Sequence, residues 1–191
     1  MNKYVKRYCI DAMSGMAQGL FASLLIGTII KTLGQQLLRI GTNPVFQFLV
    51  DAVNFATNSS VVGAAMAVGI GFAMSVPALV LFSLAAVGSA ANITGGAGGP
   101  LAVLFIAVIA AECGRFVSKK TKVDIIVTPA ITILAGALLT VLTAKYIGTA
   151  ASSVGKFLVW TTNLHPFWMG ILVSVVVGIA LTLPISSAAI C

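Results

Sequence analysis

Acidic side chains are almost missing from this chain. Asp11, Asp51, Glu112 and Asp124 are the only four, and none of the residues from Ala52 to Ala111 carries a charge. Charged residues make up 8% of the 191 and apolar ones 59%, whereas soluble domains carry about 25% charged residues. A water-soluble surface cannot be built from that stock. One helical span needs roughly 20 apolar residues, so the uncharged run holds two crossings, or one crossing plus re-entrant structure. Period-two alternation, the mark of a membrane β-barrel, is also missing, so the backbone must satisfy its own hydrogen bonds as helix. The expected fold is all-α, a single polytopic transmembrane domain over residues 1–191 with kinked spans.

Catalytic groups are equally scarce. His165 is the only histidine, and Cys9, Cys113 and Cys191 have neither metal-ligand spacing nor a pairing pattern, so they read as membrane-buried or juxtamembrane thiols. There is no Ser-His-Asp pattern, and Gly95 to Gly99 lacks the Lys-Ser/Thr that a phosphate-cradling P-loop requires. No catalytic residue, metal or cofactor is therefore expected. The formal charge of +7 is concentrated in two short clusters, Lys3, Lys6 and Arg7, then Arg115, Lys119, Lys120 and Lys122. Short basic clusters beside apolar runs follow the positive-inside rule, and no aromatic-basic surface suited to nucleic acid accompanies them. The N-terminus superficially resembles a secretory signal, but Asp11 and Gln18 interrupt it and no small-residue cleavage site follows. It reads as a retained first span with its N-terminus in the cytoplasm.

That first span is predicted over about 12–30, with Lys31 and Arg39 at its exit. Gly15, Gly19, Ser23 and Gly27 recur every fourth residue, a small-residue stripe that lets another helix, from this chain or a second copy, approach closely. In the segment 43–57, Gln47, Asp51 and Asn54 share one helical face, as an interfacial connector or the lining of a polar cavity would. A second span is predicted over 61–87, kinked at Pro77. The glycine-rich stretch 88–100 then predicts irregular, re-entrant backbone, tolerable only inside protein or along a wet cavity. Residues 101–111 suit a half-span, which gives two crossings between the basic clusters. Another span is predicted over 125–144, with Pro129 in its first turn and Lys145 closing it. An interfacial stretch covers 152–165, and Trp168 opens a last span.

A weak internal echo runs through this layout. Ile40-Gly41-Thr42 recurs as Ile147-Gly148-Thr149, Phe48-Leu49-Val50 as Phe157-Leu158-Val159, and the Gly71 and Pro77 pair as Gly178 and Pro184. Such an echo predicts a duplication, with repeat one over about 1–120 and an incomplete repeat two over about 121–191, and transporter sites commonly lie between repeats. An incomplete second copy further predicts that these residues are the N-terminal portion of a longer protein.

The stretch Asn92-Ile93-Thr94-Gly95-Gly96-Ala97-Gly98-Gly99-Pro100, the stretch Leu183-Pro184-Ile185-Ser186-Ser187 and the paired apolar layout resemble the EIIC-type membrane proteins of the bacterial phosphotransferase system. The nearest group is the membrane regulators related to the perfringolysin regulatory protein. The resemblance implies a bacterial cytoplasmic-membrane protein that translocates a sugar, with a cytoplasmic EIIB-type partner supplying the phosphoryl group. An EIIC domain of this kind carries no phosphorylated residue, and orients the sugar with carboxylate and histidine side chains. No sugar-binding motif of the family matches here residue by residue, and these residues include no EIIB or EIIA domain.

Read physically, the candidate solute-binding residues are Glu112, Asn92, Thr94, Asp51, Asn54 and His165. Glu112 is an ionisable group beside a half-span, costly without a partner or water, or else an ordinary helix-end pair with Arg115. Asn92 and Thr94 bond a solute at the glycine break, or cap the following helix. Asp51 and Asn54 line the same cavity, or face the interface, where His165 also fits at headgroup level. The leading expectation is a carrier for a sugar or small polar solute. The alternatives are a channel filtered by glycine-loop carbonyls and a membrane sensor that regulates without transporting.

Overall fold

The computed structural model describes residues 6–41, 43–120 and 123–162, together with Gly170, Ser174, Val175 and Gly178. His165, Trp168, Pro184, Cys191 and most of the last span lie outside the described residues. The described residues form helices without a strand. A π-helical lead-in at Lys6–Asp11 enters α1, which runs through Ala12–Leu20, a wide turn at Phe21–Leu25 and Ile26–Ile40. The others are α2 (Pro44–Ala56), α3 (Ser59–Ala73), α4 (Ala78–Gly95), α5 (Gly99–Val117), α6 (Asp124–Leu139) and α7 (Lys145–Thr162). Local chemistry sets several starts. Pro44 opens α2 after an extended Asn43, the Asn58 side chain accepts from Ser60 N–H at the head of α3, and Pro100 sits in the first turn of α5.

The bundle is a series of antiparallel strokes stapled by small residues. A methyl group on Gly15 would collide with the Gly69 carbonyl and one on Gly19 with the Ala65 carbonyl, so the predicted stripe on α1 is the seam against α3. Gly63 meets Gly88 and Asn92, while Gly71 meets Leu81 and Leu84, which sets α3 antiparallel to α4. Gly99 meets Asn92 and Gly114 meets Val80, which sets α4 antiparallel to α5. Between them Met66, Ile70, Val80, Leu84, Val103 and Ile106 are fully buried. Phe72, Phe82, Phe105, Leu134 and Val141 point outward and are largely exposed, as lipid-facing side chains must be.

Among the described residues three helical runs are long and apolar enough to cross a membrane, Ala12–Arg39, Ala78–Val117 and Asp124–Ser153. The pair Pro44–Ala56 and Ser59–Ala73, bent by 55°, makes up to four. Ala78–Val117 is folded back on itself at Gly96–Gly98, and each limb is about 27 Å long, close to one hydrocarbon thickness.

Several sequence expectations change in detail. Pro77 does not kink one span; it follows a complete reversal. Ser75 adopts a left-handed φ of 52° and Pro77 is extended, so 61–87 splits into α3 and α4. The glycine break is present but confined to Gly96–Gly98, where Gly96 has a φ of 51°. Residues 88–95 stay helical, because Gly88 buys close contact with α3 rather than freedom. The predicted half-span becomes the 19-residue α5. Lys31 and Lys145 end nothing: α1 continues to Ile40, and α6 continues through Thr140–Ala144 into α7. Pro129 lies beyond the first turn of α6, where it leaves the Ile125 carbonyl without its usual donor.

Candidate functional site

The strokes bring Arg7 and Arg115, one from each basic cluster, to the same end. From Arg7 the chain leaves along α1, returns through α2 and α3, leaves along α4 and returns along α5 to Arg115. The return count is even whether the α4–α5 hairpin crosses the bilayer or only re-enters it. The two crossings expected between the basic clusters have the same parity.

Glu112 lies near the C-terminal end of α5, between two cations. Its Oε1 is 3.8 Å from Arg7 Nη2 and 3.6 Å from Arg115 Nη1. Side-chain exposures are 25% for Arg7, 35% for Glu112 and 43% for Arg115, so water screens these pairs and each contributes about 0–1 kcal/mol to stability. Arg7 Nη2 also donates to the Met74 carbonyl at 2.7 Å, tying the start of the chain to the α3–α4 turn. Arg7 Nε and Glu112 Oε1 are both buried without a hydrogen-bond partner. The phenol of Tyr8 is held above its ordinary pKa by burial and by the nearby Glu112 carboxylate. Charge at Glu112 is thus balanced, while one carboxylate oxygen keeps an acceptor site unfilled.

Beside this cluster an open groove of about 730 Å³ runs between α5 and α6, lined by Glu112, Cys113, Arg115, Phe116, Val117, Lys120 and Ile131. Among the described residues no group of three or more His, Cys, Asp or Glu could hold a metal ion.

The other candidates lie elsewhere. Asn92 is buried at the opposite end, where its Nδ2 donates to the Ser59 carbonyl at 2.7 Å and to Ser59 Oγ at 3.1 Å. It also packs directly on Gly99, so it joins α3, α4 and α5. Thr94 is exposed on the last turn of α4. Asp51 and Asn54 are exposed on α2, which buries none of its residues. Glu112 is about 20 Å along α5 from Gly99, so the structure does not bring it to Asn92. His165 is outside the described residues. Arg7 and Tyr8 join Glu112 unannounced by the sequence reading; the only available signal was that both basic clusters belong on one side of a membrane.

The family model described as phosphotransferase system, EIIC matches residues 10–191. No curated protein matches the chain, and no solved structure does. A multi-pass helical membrane protein that matches this model over nearly its whole length belongs to the phosphotransferase-system EIIC family, the membrane component of such transporters.

Proposed function

We propose that the chain is the EIIC-type carrier component for a sugar or another small polar solute, with Glu112 as the group that orients it. The observation that carries this reading is the state of Glu112. Its charge is compensated by Arg7 and Arg115, yet its buried Oε1 accepts no hydrogen bond. A sugar hydroxyl supplies the missing donor, and a hydrogen bond to a carboxylate is stronger than one between neutral groups. Arg7 and Tyr8 position the carboxylate from the α1 side. Asn92 serves the fold, while Thr94, Asp51 and Asn54 are exposed away from Glu112.

In this reading the charged end faces the cytoplasm of a bacterial cell, in accord with the positive-inside rule, and a cytoplasmic EIIB-type protein docks there as phosphoryl donor. The glycine turn is packed on α7, where Gly98 meets Ala151 and Gly148 meets Gly95. That packing supports a carrier over a pore lined by open glycine carbonyls. Equilibrium binding of a panel of sugars and sugar acids to the detergent-purified chain tests the proposal. Selective, saturable binding weakened at least about ten-fold by Glu112→Gln is expected, from loss of a charged hydrogen bond. Equal binding by the variant, or no binding of any member of the panel, overturns it.

A further inference from the structure

We propose that the groove between α5 and α6 at the charged end holds an anionic phospholipid, its phosphate on Arg115 and Lys120 and its first acyl carbons on Phe116 and Ile131. The groove shares its Glu112 wall with the proposed solute site, but the lipid reading rests on the basic lip and the apolar wall alone. Its basis is the order of chemistry along the groove. Lys120 stands at the lip, beyond the end of α5, while Phe116 and Ile131 line the walls below it, Ile131 level with Arg115 because Gly114 packs on Thr132. An anionic lipid presents the same order, a charged phosphate above hydrocarbon, whereas a soluble anion would leave the apolar wall uncovered.

The lip is held in place. Ser118 N–H bonds to Gly114 O at 2.9 Å, and Lys120 N–H bonds to Val117 O at 3.1 Å. Lys119, at a left-handed φ of 65°, donates its N–H to Asp124 Oδ1 at 2.9 Å. Lys120 Nζ then sits 3.6 Å from the centre of the Phe116 ring, an attraction that keeps the ammonium above the apolar wall. The neighbouring acids do not outweigh this charge: Asp124, which accepts from Lys119 N–H and the Thr128 hydroxyl, and Glu112 stand against four cations, Arg7, Arg115, Lys119 and Lys120. Phe116 is 71% exposed, a large apolar face beside two cations. Basic pockets between membrane helices bind anionic headgroups by this combination.

The test uses the delipidated full chain in detergent, titrated with phosphatidylglycerol, with phosphatidylcholine, and with inorganic phosphate, and read by thermal melting and by retained lipid in native mass spectrometry. Expected is retention and stabilisation by phosphatidylglycerol over phosphatidylcholine, weakened about five-fold by Lys120→Gln and reduced by Phe116→Ala. Lys120 is exposed, so Lys120→Gln without lipid should melt as the parent does, which separates lost binding from lost fold. Equal retention of the two lipids, or an undiminished preference in Lys120→Gln, overturns the proposal. So does equal stabilisation by inorganic phosphate, which would make the occupant a free anion.

Discussion

The two ends of the bundle use polar residues in opposite ways. At the glycine turn, Asn92 is buried, bonded to Ser59 and pressed on Gly99, with α7 packed against the turn at Gly148. At the charged end, Arg7 and Arg115 stand 3.8 and 3.6 Å from Glu112, partly wet, with a carboxylate oxygen and a guanidinium nitrogen unpartnered. In a membrane protein both polar groups and ions are costly unless satisfied. A fully satisfied one holds the fold together, whereas one balanced in charge but short of a hydrogen bond is the place proposed here for a ligand.

That contrast can be broken at either end, and the largest effect belongs to the tight one. Gly148→Val would drive a side chain into the Gly95 carbonyl, backbone against backbone. A loss of about 3 kcal/mol is expected, seen as a lower melting temperature and a poor yield of monodisperse protein. Asn92→Ala comes next: it removes two hydrogen bonds that join α4 to α3, at a cost of about 2 kcal/mol. Arg7→Ala, at the loose end, loses the bond to Met74 O and a screened ion pair. Its cost is about 1 kcal/mol, and protease susceptibility of the Met74–Pro77 turn should rise with it.

What the sequence could show followed from composition and period. The absence of charge required membrane helices, the four-residue stripe on α1 marked a real seam, and the glycine cluster marked a real turn. What it hid were reversals inside apolar stretches. The turn at Met74–Val76 carries no charge or polar run to separate two strokes from one, so only Ser75 and Pro77 distinguish a hairpin from a kink. Lys31 and Lys145 misled for the complementary reason, since a long lysine side chain can reach the interface from a helix that continues. Glu112 stood out as an isolated charge, but its meeting with Arg7 depends on four strokes closing into one bundle, and no local pattern records that.

The most direct test of this division is the melting temperature of the detergent-purified chain, with and without a sugar that binds it, in the parent, Glu112→Gln and Asn92→Ala. Glu112→Gln should melt close to the parent, because its ion pairs are screened, and should lose the shift that the sugar produces. Asn92→Ala should melt lower and keep that shift. The reverse pattern, a sugar response abolished in Asn92→Ala and intact in Glu112→Gln, would place the solute at the glycine turn and contradict the account.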